Sequence, residues 1–226
     1  MVGVKLYLGD CLEILPTLAA GSVDAVMTDP PYGIEYQSAR RIDTERFPTI
    51  HGDNEHNFEW ILSARKASKD TSSVIVFCRW DVQEKFKEAV NVHWKVKSQV
   101  IWDRGVHGLG DLNGQYAPCH DIIWFGTSGN WIFPNHRPRS IYRIDRLPAN
   151  ELLHPTQKPV PLMKRIITDL TNLGDLILDP FMGSGTTGIA CVQTGRNFIG
   201  IEIDPKYYAI AEKRITEARL QIRMEI

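Results

Sequence analysis

The apolar run Val26-Met27-Thr28 stops on Asp29-Pro30-Pro31-Tyr32-Gly33. A carboxylate, two φ-locked prolines and a ring in succession read either as a strand running into a surface turn or as a chemical jaw. A second stretch runs Leu176-Ile177-Leu178-Asp179-Pro180-Phe181-Met182 and continues Gly183-Ser184-Gly185-Thr186-Thr187-Gly188. Gly183, Gly185 and Gly188 have G-x-G-x-x-G spacing at a strand-turn-helix junction, and the next apolar run ends on Glu202, about 20 residues on. Glycines let a ligand approach the backbone, the helix start offers N–H groups to an anion, and the acid can take a ribose hydroxyl. This is the pattern of a nucleoside-cofactor site. A nicotinamide dinucleotide fits the spacing too, but a carboxylate at Asp179, ahead of the glycines, repels a pyrophosphate and welcomes an ammonium group.

Such residues need a frame. Strands are predicted at 4–8, 23–28, 73–78, 98–102, 121–125, 175–178 and 197–202, several as near-continuous apolar runs suited to strands buried on both faces. Helices are predicted at 54–69, 81–90, 159–172, 185–194 and 205–222, the last opened by Asp204 as N-cap and Pro205 at its first position. Alternation of the two implies an α/β fold with a doubly wound, mostly parallel sheet. Residues 33–53, 103–118 and 126–158 break the rhythm and read as functional loops or disordered segments.

The chain has 226 residues, enough for one substantial core, with 43% hydrophobic and 23% charged residues. No run of about 18 apolar residues stands in it, so no membrane partner is expected. Cys11, Cys78, Cys119 and Cys191 are scattered, with no C-x-x-C pair. That predicts no metal site and a reduced, cytoplasmic setting. A net charge of -1 places any polyanion contact in local basic patches.

The sequence resembles the DNA amino-methyltransferases that use S-adenosylmethionine. Asp29-Pro30-Pro31-Tyr32 is similar to their D-P-P-Y catalytic motif, and Asp179-Pro180-Phe181-Met182-Gly183-Ser184-Gly185 to their D-P-F-x-G-S-G cofactor motif. Catalytic motif first and cofactor motif last is the order of the β group. Leu8-Gly9-Asp10-Cys11-Leu12, His154-Pro155-Thr156-Gln157-Lys158-Pro159 and Gly200-Ile201-Glu202-Ile203-Asp204 match as well. The resemblance implies a circularly permuted, Rossmann-like methyltransferase fold over residues 1–226. Its catalytic half is about 1–102, a loop-rich recognition insertion about 103–153, and the cofactor half about 154–226. It implies a cofactor site of Asp10, Cys11, Thr156, Lys158, Asp179, Phe181, Gly183, Ser184, Gly185, Thr186, Glu202 and Ile203. Within it Glu202 would take the ribose hydroxyls, and Asp10 with the Cys11 backbone the adenine amino group. Thr156 and Lys158 would hold the methionine carboxylate, and Asp179 would face its amino end. Read alone, Asp10 can also be a turn acid before a helix, Thr156 and Lys158 part of a proline-flanked loop and Asp179 a strand-end cap, while Phe181 is equally a core residue.

An exocyclic amino group is a poor nucleophile because its lone pair is delocalised into the ring. Acceptors on both of its N–H bonds favour the tetrahedral nitrogen and the positive charge that develop during attack on a methyl sulfonium. Asp29 supplies one acceptor and the Pro30 carbonyl the other, with Pro31 helping to preset the chain and Tyr32 offering a face for a flipped-out base. The reading is methyl transfer to adenine N6 in double-stranded DNA, because in the family Asp at the first position goes more often with adenine. Cytosine N4 is the alternative, a nicotinamide oxidoreductase leaves the D-P-P-Y and His154 motifs unexplained, and a DNA-binding module without turnover would need a broken jaw. Arg137, Arg139 and Arg143, interleaved with aromatics ahead of the His154 motif, are the candidate DNA contacts. Arg40, Arg41 and Arg46 are a second candidate patch, and a homodimer is a further expectation.

Overall fold

The computed structural model describes residues 2–33, 57–107, 113–114 and 116–224. The chain runs through β1 (Val4–Leu8), α1 (Cys11–Ile14), β2 (Val23–Thr28), α2 (Glu59–Ala67), β3 (Ser68–Cys78) and α3 (Gln83–His93). It continues through β4 (Lys95–Asp103), β5 (His120–Thr127), β6 (Ile141–Arg143) and α4 (Val160–Leu170), then β7 (Leu176–Asp179), α5 (Thr186–Gln193), β8 (Asn197–Glu202) and α6 (Pro205–Met224). The eight strands form one sheet ordered β1-β8-β7-β2-β3-β5-β4-β6. Only β5 runs against the rest, antiparallel to both β3 and β4.

Both faces of the inner strands β2, β7 and β8 and of the second half of β3 are covered, which is why these read as continuous apolar runs. Ala25, Met27, Ile75 and Phe77 turn to one face and pack with Leu162, Ile166, Ile189, Ala211 and Ile215 of α4, α5 and α6. Val26, Val74 and Val76 turn to the other and pack with Trp60, Ile61, Ala64, Phe86 and Val90 of α2 and α3. Among the described residues no helix is long and apolar enough to cross a membrane.

Apart from the short α1, which the sequence expectation lacks, two regions differ from it. The helix expected over 54–69 ends at Ala67, with residues 54–56 outside the described chain, and β3 begins at once on Ser68. Ser68 turns extended and its hydroxyl donates to the Ala64 carbonyl (2.8 Å), closing the helix without a loop. The basic stretch at 137–146, expected as loop, contains β6, which pairs with the end of β4. Three residues with a single inward side chain, Tyr142, are too short a pattern to register as a period. Tyr142 is anchored by donating its hydroxyl to Asp169 of α4 (3.0 Å), and the Trp102 indole donates to the Ile144 carbonyl (2.7 Å). Residues 103–153 therefore contribute β5 and β6 to the sheet itself.

Candidate active site

From β2 the chain proceeds outward to β3, and from β7 it proceeds the other way to β8, while β2 and β7 are neighbours. The carboxyl ends of β2 and β7 are thus the point where strand order reverses, the place where open α/β sheets leave a crevice for ligands. Asp29-Pro30-Pro31-Tyr32 leaves β2 there, and Asp179-Pro180-Phe181-Met182 leaves β7 beside it. A strand ends on a carboxylate here because the sheet opens at that point.

The two motifs are tied together directly. Asp179 is buried, and its carboxylate accepts from Thr28 Oγ1 (2.8 Å), Thr187 Oγ1 (2.6 Å) and the Phe181 N–H (3.2 Å). Burial pushes its carboxyl up to about 6 while these three bonds pull it down. Thr28 closes β2 and Thr187 lies in the first turn of α5, so one carboxylate joins β2, β7 and α5.

Asp29 is held on both oxygens. Tyr32 donates its hydroxyl to Oδ1, and Lys158 donates Nζ to Oδ2 in a close ion pair. The side chains of Asp29 and Lys158 are 17% and 10% exposed. Lys158 also donates to the Thr156 carbonyl (3.3 Å) and lies 5.0 Å from the Phe77 ring centroid. Tyr32 stands edge-on to Phe86, which is edge-on in turn to Phe58. Burial first, and then the Asp29 charge, push the Tyr32 hydroxyl well above the ordinary phenol value, so it stays a neutral donor.

The glycine turn is shaped by packing as much as by ligand access. Gly183 and Gly185 have φ of 52° and 80°, where a side chain is strained. A Cβ on Gly185 would stand 2.9 Å from Ala211 Cβ, and one on Gly188 would stand 2.4 Å from Ile215 Cδ1. The latter two therefore admit α6 against α5. The Gly183 N–H donates to Glu202 Oε2 (2.8 Å) and the Asp204 N–H to Oε1 (2.9 Å), which aims the acid at the end of β8 into the turn. Burial raises the Glu202 carboxyl. On the far side, β1 pairs Leu8 with Glu202, and Asp10 caps α1 by accepting from the Leu12 N–H (2.8 Å). Cys11 follows, buried, its thiol pushed up to about 12 by burial and by Asp10. Phe181 meets Trp60 edge-on at 5.5 Å, and Ile203 is exposed at the end of β8.

Asp29, Tyr32, Thr156, Lys158, Asp179, Phe181, Gly183 and Glu202 therefore converge at the carboxyl ends of β2, β7 and β8, with Asp10 on the adjoining strand end. Arg137, Arg139 and Arg143 are not against this cluster. Arg143 closes β6, on the same sheet edge as Asp29 but four strands away, about 19 Å at ordinary strand spacing. Its side chain is 81% exposed, 3.6 Å from Asp103. Arg137 and Arg139 precede it on the surface. Arg40, Arg41 and Arg46 lie outside the described residues.

Compared with known proteins, the family described as DNA methylase (N6_N4_Mtase) matches residues 23–213. The chain belongs to that family. It is a methyltransferase of the group that modifies adenine N6 or cytosine N4 in DNA. Its relatives include the type II methyltransferase M2.MboI of Moraxella bovis, 29% identical over 94% of this chain and 88% of the relative. M2.DpnII of Streptococcus pneumoniae is 27% identical over 91% and 87%. Among solved structures, the M1.HpyAVI complex with SAM is 28% identical, with a TM-score of 0.72 over 93% of this chain and 99% of that one. The cytosine-N4-specific PvuII DNA methyltransferase, 19% identical with a TM-score of 0.71 over 98% and 93%, shares the fold.

Several residues of the site carry no sequence signal of their own. Thr28 and Thr187 differ from any strand or helix threonine only through Asp179. Arg214, the tenth residue of α6, donates Nη1 to the Ser184 carbonyl (2.5 Å) and hydroxyl (3.0 Å) and so holds the glycine turn from behind. His154, which heads a motif the sequence does show, stacks edge-on with Tyr207 at 4.4 Å, with its ring under Gly183. Its Nδ1 lies 3.3 Å from the Thr156 N–H. Burial drives its imidazole down to about 4, which keeps it neutral at physiological pH.

Proposed function

We propose that this chain transfers a methyl group from S-adenosylmethionine to N6 of adenine in double-stranded DNA. The observation that carries the reading is the Thr28–Asp179 tie, which sets the Asp29-Pro30 acceptors beside the glycine turn on neighbouring strands.

The donor set fits the cofactor. Glu202 is a carboxylate fixed by two backbone N–H groups beside a left-handed glycine, suited to ribose hydroxyls. Lys158 is the cation for a carboxylate, with Thr156 beside it, and Asp10 with Cys11 closes the adenine end. Asp179, Phe181, Ser184, Gly185, Thr186 and Ile203 form the rest of the wall. When bound, the cofactor supplies a methyl group on a positively charged sulfur.

The protein's part is alignment and electrostatics. Asp29 and the Pro30 carbonyl accept the two N–H bonds of the flipped amino group, drawing its nitrogen out of plane as positive charge builds. Tyr32 fixes the Asp29 carboxylate through its hydroxyl and presents its face to the base, braced by Phe86. Flipping costs a few kcal/mol, which stacking partly offsets. Arg137, Arg139 and Arg143 contact the DNA from the β6 side. Adenine is favoured by the carboxylate at position 29. Modified-base sequencing of DNA from cells expressing the protein tests the reading. N6-methyladenine in a short recurring sequence is the expected result; N4-methylcytosine overturns the choice of base, and unmodified DNA overturns the activity.

A further inference from the structure

The ion pair between Lys158 and Asp29 conflicts with what the proposed chemistry asks of Asp29. Its carboxylate is there to stabilise positive charge developing on the target nitrogen. An ammonium in contact with Oδ2 neutralises that carboxylate and adds a like charge next to the reacting group. Tyr32 holds the other oxygen, so both carry a donor before any base arrives. Lys158 is well placed to move. Its Nζ is shared between Asp29 and the Thr156 carbonyl and lies 5.0 Å from the Phe77 ring centroid. A long, flexible side chain can swing its head while its stem stays packed.

We propose that Lys158 is a hand-off residue. It holds Asp29 in the ligand-free protein and passes to the cofactor's carboxylate, releasing Asp29 for the target amino group. Cofactor occupancy thereby licenses the base site, and the ammonium never faces an unpaired state in its enclosed position. Binding is ordered, cofactor before flipped base, and Asp29 and the cofactor carboxylate compete for one cation. The inference rests on the assignment of Lys158 to the cofactor carboxylate.

The competition predicts that removing the catalytic carboxylate strengthens cofactor binding. The probes are S-adenosylhomocysteine and S-adenosyl-3-thiopropylamine, which keeps the amine and lacks the carboxylate. Their affinities are measured by titration calorimetry on the wild type, Asp29→Ala, Asp29→Asn, Lys158→Met and the Asp29→Ala/Lys158→Met double variant, each checked by thermal melting. The preference for the carboxylate-bearing ligand should rise roughly tenfold in both Asp29 variants. It should collapse in Lys158→Met and stay collapsed in the double variant. If Lys158→Met lowers the preference but neither Asp29 variant raises it, the hand-off is wrong and the carboxylate assignment stands. If Lys158→Met leaves the preference unchanged, both fall.

Discussion

Replacing Thr187 by valine removes one donor from the buried Asp179 carboxylate at nearly constant volume. The lost contact is a 2.6 Å bond to Oδ2, leaving Thr28 and the Phe181 N–H on Oδ1. A hydrogen bond to a charged group is worth about 1.5–3 kcal/mol. For a domain of this size, 1 kcal/mol corresponds to about 2–4 °C in Tm, so a loss of about 2 kcal/mol lowers Tm by about 4–8 °C at pH 7.5. The loss should depend on pH with a definite sign. The folded carboxyl sits at about 6, above its ordinary 3.8. The folded state therefore binds the extra proton between these values, and its stability from this group falls as pH rises through them. At pH 5 the folded wild type holds Asp179 mostly protonated, the Thr187 bond becomes a neutral one worth about 1 kcal/mol, and the Tm difference shrinks to about 2–4 °C. Differential scanning fluorimetry of both proteins at the two pH values reads this directly. An equal Tm difference at pH 5 and pH 7.5, or none at either, refutes the claim that Thr187 serves an ionised, buried Asp179.

Asp29→Ala is expected to abolish methyl transfer from labelled cofactor without weakening cofactor binding; turnover near the wild-type rate would remove Asp29 from the jaw. Gly185→Ala forces a side chain into a left-handed backbone and against Ala211 of α6. The combined cost is about 3 kcal/mol in urea unfolding, and a loss below about 1 kcal/mol would mean that α6 yields easily. Arg137→Ala with Arg139→Ala should weaken DNA binding and lower the slope of log affinity against log salt by about 0.9 per lost phosphate contact. Cofactor affinity should be unchanged, and an unaltered slope would exclude both residues from the DNA surface.

The sequence was most legible where one residue type has one use. The carboxylate and prolines at 29–31, the glycine spacing at 183–188 and the acid at 202 need no tertiary knowledge to be found. Apolar runs located the inner strands β2, β7 and β8 cleanly, because strands covered on both faces have no polar side to blur them. β6 escaped because one inward tyrosine among arginines carries no period, and its strand pairing depends on β4, some forty residues earlier. The start of β3 escaped because Ser68 to Thr71 are polar and belong to the sheet only through their position after α2.

By itself, then, the sequence determined the order of motifs, the alternation of strands and helices and the chemistry offered at each strand end, since these depend on residue type and short spacing. Only the tertiary structure decided that β2 and β7 are neighbours, which brings residues about 150 positions apart into hydrogen-bond contact at Thr28 and Asp179. The pairing of Lys158 with Asp29, the support of the glycine turn by Arg214, and the steric need for Gly185 and Gly188 were likewise decided there. Each depends on where two distant backbones meet, and no local pattern of residues encodes that distance.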